Sequence, residues 1–366
     1  MVTGTGSKGG PEAVETAVEN LTQIKVVGVG GGGNNAVNRM IEENIPGVDF
    51  IAVNTDAQAL LRSTAPTRLR IGDRLTRGLG VGGDHTMGML AADESRDELT
   101  KAVDGADLIF VTAGMGGGTG TGAAPVIAEI AKDLDILTIA IITKPFNFEG
   151  VYRAKVAEEG IIRLKERADC IIVIPNERLL SMCDASVSIE AAFKMVDDVL
   201  FQSVEGISEV IMSSGNINLD FNDVRTIMNE AGHAWISMGY GSGETRAVDA
   251  AKAAIVSPLF DFSIERAQRI LFNIIYNDLS LSEVNEAANV IRAVADPNAQ
   301  IIFGLATDPK IGHNVKLTLI ATGFQEGSDH AHSESAMIDN DDDLPDDDLP
   351  EITVEEKRRS LFPRLR

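Results

Sequence analysis

Ten residues, Ala113-Gly-Met-Gly-Gly-Gly-Thr-Gly-Thr-Gly122, constrain this chain more than any other stretch. Six of them are glycine. The apolar run Ala106–Thr112 before them reads as a buried strand. Ala123–Lys132 after them reads as a helix with Pro125 in its first turn. A glycine turn from strand into helix lets backbone N–H groups approach a ligand with no Cβ between them. The helix start adds unpaired donors and a partial positive charge, and together these make a phosphate site. A plain surface turn would carry the entropic cost of so many glycines without return.

The unit recurs. Ile24–Val29 reads as a strand, Gly30–Asn35 as a glycine turn, and Ala36 to Ile41 as a helix. Gly28, Gly30 and Gly33 fit the G-x-G-x-x-G dinucleotide fingerprint, which is weak alone. Asp56, after the strand Asp49–Asn54, is either the ribose acid of such a fold or, as we favour, a cap for a helix over 57–62. Gly78–Asp84 is a third glycine-rich loop, followed by His85 at a solvent-facing helix start and one helix over 86–102. Strands over 136–142 and 169–174 flank a helix over 150–167. Continuous apolar strands alternating with helices give a parallel sheet covered on both faces, with ligands at the carboxyl ends of its strands.

Ile189, Phe193, Val196, Leu200, Val204, Ile207 and Ile211 form one apolar stripe on a long helix over 187–213. Beyond it, a helix over 224–230, strands over 234–240, 267–275, 300–306 and 315–321, and helices over 244–256 and 281–295 suit a smaller mixed-sheet domain with Trp235 in its core. The chain is thus α/β: a flexible segment 1–22, a parallel-sheet nucleotide-binding domain 23–186, a central helix 187–214, a smaller mixed-sheet α/β domain 215–326, and a disordered acidic tail 327–366. The tail carries 12 acidic and 5 basic side chains and ends in the basic-apolar peptide Lys357–Arg366, which reads as a docking peptide. Net charge is −23, so nucleic acid is excluded as a main partner, and a phosphate ligand would need a cation as well as backbone donors. No apolar run is long enough for membrane insertion. The two cysteines make no disulfide framework or metal spacing; Cys170 reads as a buried hydrophobe and the compartment as cytoplasmic.

No G-x-x-x-x-G-K-[ST] occurs, so the phosphate site is not a P-loop. Two glycine turns from one sheet suit one mononucleotide held from two sides. Gly116-Gly-Gly-Thr-Gly-Thr-Gly122 resembles the signature of the tubulin/FtsZ family of GTPases. Gly28–Asn35, Asn54-Thr-Asp56, Gly78-Leu-Gly80, Pro175-Asn176 and Asn218-Leu-Asp-Phe-Asn-Asp223 match its bacterial cell-division branch in order, so the resemblance covers about residues 24–324. It implies GTP or GDP as ligand with Mg²⁺, and no metal-binding side chain is assigned. Gly31, Gly32, Asn34, Asn35, Gly117, Gly118, Thr119 and Gly120 would cradle the phosphates and nearby groups, with Gly82 at the γ-phosphate. Glu149 and Arg153 would hold the ribose and phosphate edge. Asn176 and Asp197 would read guanine, with Phe193 on the base. From residue type alone, Asp197 reads as a solvated helix acid and Phe193 as core.

Asn218, Asp220 and Asp223 read, as residues, as turn and cap positions at the far end of the long helix. The resemblance implies that they are catalytic and act on the GTP of a neighbouring subunit, Asp220 and Asp223 orienting the attacking water. Such a head-to-tail contact does not close and yields a filament. The implied partners are further copies of the chain and, through Lys357–Arg366, membrane-anchoring and regulatory division proteins at a midcell ring. The tail departs from the family's usual peptide: ten residues separate Asp348-Leu-Pro350 from Leu361-Phe-Pro-Arg-Leu-Arg366. The competing reading, an NAD-dependent oxidoreductase on Gly28, Gly30 and Gly33, leaves the second glycine turn and the acidic loop unexplained.

Overall fold

A computed structural model describes residues 22–182, 187–213, 215–256, 264 and 267–324. Among the described residues the sheet has eleven strands in the order β3-β2-β1-β4-β5-β6-β8-β11-β9-β10-β7. The strands are β1 Ile24–Val29, β2 Val48–Asn54, β3 Thr67–Arg70, β4 Leu108–Gly114, β5 Leu137–Lys144, β6 Cys170–Pro175, β7 Gly215–Ile217, β8 Gly232–Gly241, β9 Arg269–Tyr276, β10 Gln300–Thr307 and β11 Val315–Thr322. β1 to β6 are all parallel. β8, β9, β10, β11 and β7 pair in mixed fashion, as expected of the smaller domain. The two halves join where Cys170 and Ile171 pair with Gly232 and His233.

The helices are α1 Gly30–Glu42, α2 Ala57–Arg62, α3 Asp73–Thr76, α4 His85–Glu94, α5 Arg96–Val103, α6 Thr119–Asp133, α7 Val151–Lys165, α8 Asn176–Ser181, α9 Ile189–Met212, α10 Phe221–Met228, α11 Arg246–Ile255 and α12 Leu281–Val294. Successive residues of the parallel strands face opposite cores, as period-two alternation requires. Val26, Phe110 and Ile139 pack with α1 and α9, while Val27, Ile109 and Val111 pack with α4 to α7. The first core runs on along α9 into the mixed half, where Trp235 is buried and its Nε1–H donates to Ser237 Oγ. Cys170 is buried as expected, and burial pushes its thiol pKa up. Cys183, the N-terminal segment and the tail lie outside the described residues.

Several elements differ from the sequence reading. α1 and α6 begin inside the glycine runs, at Gly30 and Thr119, rather than after them. Pro125 therefore sits inside α6 rather than in its first turn. The helix expected over 86–102 is two helices broken at Ser95, whose hydroxyl accepts from Gly72 N. His85 is not in solvent: its ring lies 3.2 Å from the Arg163 guanidinium and 3.5 Å from the Glu159 carboxylate. The sequence pattern does not predict the short elements β3, α3, α8 and β7.

Candidate nucleotide site

β1 and β4 are neighbours, with Gly28 opposite Thr112 and Val29 opposite Ala113. Both glycine turns therefore leave the sheet side by side, where the strand order reverses and an open α/β sheet forms its ligand crevice. The two turns touch through bare backbone. A Cβ on Gly30 would lie 2.8 Å from Gly120 N, and one on Gly120 would lie 2.8 Å from Gly114 O. A Cβ on Gly32 would lie 3.2 Å from Gly114 N. The third loop closes on the second turn, since a Cβ on Gly118 would meet Asp84 N at 3.0 Å. Thr119 Oγ1 and Thr55 Oγ1 share a buried 2.7 Å hydrogen bond beneath them.

Packing thus accounts for most of these glycines. It does not account for Gly31 or Gly117. Neither has a positive φ, and a Cβ on either would meet nothing within 4 Å. Their backbones border open space, which is the arrangement that lets a ligand approach main-chain N–H groups. Gly82 also faces open space, with φ at +56°. Asn35 is exposed at the same mouth. Asn34 is not: it is 4 % exposed, donates to Gly28 O at 2.8 Å, and accepts from Asn54 Nδ2 at 2.8 Å. Its amide ties β1 to the end of β2. Asp56 caps α2, accepting from Gln58 N and Ala59 N, so it is engaged as the cap reading expects.

A second group of side chains borders the crevice beyond β5 and β6. Asn176 opens α8, is 4 % exposed, and its Oδ1 is buried with no hydrogen-bond partner among the described residues. A buried, unpaired amide oxygen costs about 1–3 kcal/mol, so it fits a site that a ligand completes. Phe193 and Asp197 lie one turn apart on α9. Phe193 is 42 % exposed and meets buried Phe146 edge-on at 5.3 Å, so it is not the core residue that its type suggests. Asp197 is half-buried, and its carboxyl is pushed up to about 7, first by burial and then by the adjacent Asp198 charge, with Arg39 opposing. Arg39 reaches Asp198 from α1 at 2.6 Å, tying the helix of the first glycine turn to α9. Glu149 accepts from Phe146 N at 2.9 Å and forms an ion pair with exposed Arg153. A Cβ on Gly116 would lie 2.8 Å from Arg153 O, so this edge adjoins the second glycine turn. Phe146, Phe148 and Thr55 were not singled out from sequence. The aromatic pair just after a strand end was the available signal for the first two.

Asn218, Asp220 and Asp223 lie elsewhere. α9 runs for 24 residues, about 36 Å at the helical rise, and ends at Met212. Met212 packs against Gly47, just before the start of β2. The acidic loop therefore lies toward the amino ends of the parallel strands, opposite the glycine turns. Asn218 Oδ1 accepts from Gly215 N at 2.6 Å. Asp220 and Asp223 form a capping box on α10, each accepting from the other's backbone N–H through one oxygen. The cap reading is thus correct for the isolated chain, and these residues cannot reach the glycine turns of the same chain.

No cluster of three or more His, Cys, Asp or Glu among the described residues could cage a metal.

Comparison with known proteins gives two family matches. Residues 23–184 match the tubulin/FtsZ family GTPase domain, and residues 232–325 match the FtsZ family C-terminal domain. Among solved structures, an empty FtsZ dimer from M. jannaschii is 43% identical, with TM-score 0.79, covering 86% of this chain and 92% of that one. That relative is archaeal, so the likeness carries no bacterial origin. Two Haloferax volcanii proteins are 20% identical and share the fold: CetZ2 as a GTPgS-bound protofilament and CetZ1 as a GDP-bound monomer, with TM-scores 0.72 and 0.73, each covering 83% of this chain and 95% of its own.

Proposed function

The chain belongs to the tubulin/FtsZ family of GTPases, and from that premise we propose that it assembles head to tail into filaments of the cell-division ring, each GTP being bound by one chain and hydrolysed with acids from the next. The observation that carries this reading is the separation. The glycine cradle lies at one end of the parallel strands and Asp220 and Asp223 toward the other, so only a second copy can bring them together. The 43% identical relative is a dimer, which supports self-association here.

In the assembled site, backbone N–H groups around Gly31, Gly32, Gly117 and Gly118 donate to phosphate oxygens, and the starts of α1 and α6 add their dipoles. Asn35 and Thr119 flank the phosphates, Gly82 approaches the γ-phosphate, and Glu149 and Arg153 hold the ribose edge. Asn176 supplies its unpaired oxygen to the base. Ionised Asp197 accepts from the ring N–H and the amino group of guanine together, a donor pair that adenine lacks. Phe193 covers the base. Mg²⁺, when bound with the nucleotide, offsets phosphate charge. Asp220 and Asp223 of the next chain orient and polarise the attacking water, with Asn218 beside them. Most of the rate then comes from positioning and electrostatics. The ring lies at midcell in the cytoplasm, and the tail peptide Lys357–Arg366 recruits membrane anchors and regulators.

GTP turnover against protein concentration tests this reading. Turnover should stay near zero up to a threshold concentration and rise steeply above it. A rate strictly proportional to protein from the lowest concentration would overturn it.

A further inference from the structure

On the mixed half, Asn222, Arg225, Thr226 and Asn229 of α10 and Arg269 of β9 line an open concavity of about 290 Å³. Two arginines share this hollow in a chain of net charge −23. Arg269 donates to the carbonyls of Thr226 and Asn229, at 3.2 and 3.3 Å, which fixes its guanidinium against the end of α10. A guanidinium has five N–H donors, so this leaves others to meet a carboxylate. Arg225 pairs with Asp135 at 3.0 Å, but Asp135 is 91 % exposed, and such pairs are weak and easily exchanged. The chain also leaves the described fold at this place. Gly323, next to the last described residue, has φ at +75°, and a Cβ there would lie 3.7 Å from Arg269 Nε. Seventeen residues after Phe324 begins the most acidic run of the sequence, Asp341-Asp-Asp-Leu-Pro-Asp-Asp-Asp348. A coil of that length spans about 20–25 Å end to end, so the run is held at high effective concentration around the hollow.

We propose that this concavity is the docking site for the chain's own acidic run 341–348, held in cis by carboxylate–guanidinium pairs to Arg225 and Arg269. Leu344 and Leu349 flank the acids but no apolar groove lines the hollow, so the contact is electrostatic and salt-sensitive. Asn222 and Asp223 are adjacent on α10, so a docked tail lies beside the acids that the filament must present to its neighbour. Docking and head-to-tail contact then compete for one face. That consequence rests on the proposed filament; the docking itself does not.

The test follows the backbone amides of 341–348 by NMR in the full-length GDP-bound protein at low ionic strength, with a free synthetic peptide of the same residues as reference. We expect the amide shifts to differ from those of the free peptide. They should return to the free values in Arg225→Glu or in about 0.5 M salt, and stay shifted in Arg225→Lys. Retained GDP binding by Arg225→Glu checks that the variant is folded. Shifts equal to those of the free peptide at low salt would overturn the proposal. Shifts that grow with protein concentration would also overturn it, because the occupant would then be a tail from another copy. So would shifts unaltered in Arg225→Glu. None of these readings requires GTP hydrolysis, so loss of the shared-site function leaves them intact. If assembly does compete, replacing the six aspartates by asparagine should lower the threshold for turnover about twofold or more at low salt.

Discussion

The two ends of the parallel sheet make an instructive contrast. At the carboxyl end, several groups have no explanation within the described residues: Gly31 and Gly117 border empty space, Asn176 Oδ1 is buried without a partner, and Asp197 is pushed toward neutrality. At the other end, the polar side chains of the acidic loop are accounted for. Asn218 closes a turn, and Asp220 and Asp223 cap α10. A binding site in one chain shows itself as unmet need. The acidic loop shows no such need, because each of these residues already serves the fold that displays it.

The largest expected effect breaks that symmetry directly. Asp223→Asn keeps an oxygen to accept from Asp220 N, so the cap survives while the charge goes. GTP turnover should fall on the order of a hundredfold, with GDP affinity unchanged and thermal stability lowered by less than about 1 kcal/mol. A variant that hydrolyses normally would leave Asp223 as a cap and nothing more. Next comes a pair of glycine changes. Gly117→Ala meets nothing in the empty protein, so its melting temperature should hold while GDP affinity drops about tenfold or more. Gly33→Ala would drive a Cβ into the Thr112 carbonyl and should instead destabilise the fold. Equal loss of stability in both would erase the distinction between glycines needed by the fold and those left for a ligand.

The pH dependence of binding is a smaller, sharper probe. Burial pushes the folded Asp197 carboxyl up to about 7, and in the proposed site only the ionised form accepts from both guanine donors together. Guanine nucleotide affinity should therefore be full above about pH 8 and fall about tenfold per unit below pH 7. Asp197→Asn should abolish that slope. A wild-type affinity flat from pH 8 to 6 would remove Asp197 from the base site. The smallest effect belongs to Asp56, which caps α2: Asp56→Ala should cost about 1 kcal/mol of stability and leave nucleotide affinity untouched.

Much of this architecture was legible because parallel strands buried on both faces announce themselves as unbroken apolar runs, as in Leu137–Thr143. The helix starts were not. Glycine is a poor helix former, so the sequence pattern puts the helices after the glycines, whereas the helices begin at Gly30 and Thr119, where the two turns touch. β3, Thr-Arg-Leu-Arg, is too short and polar to show alternation, and β7 has three residues. In the candidate site, the glycines carried their own signal. Phe193 and Asp197 did not: an aromatic and an acid one turn apart on an amphipathic helix look like core and solvent, and only packing against Phe146 and Asp198 shows otherwise. Asn34 shows the reverse case, since it sits within a phosphate motif yet clamps two strands.

The division of one site between two chains is tested most directly by mixing two crippled proteins. One carries Asp220→Asn and Asp223→Asn and keeps its cradle. The other carries Gly31→Val and Gly117→Val and keeps its acids. Neither alone should hydrolyse GTP appreciably. If the site is shared, the mixture should turn over GTP at a rate well above the sum of the two, because acids of the second protein meet nucleotide held by the first. A mixture no faster than that sum, with both proteins folded and co-assembling, would contradict the shared site.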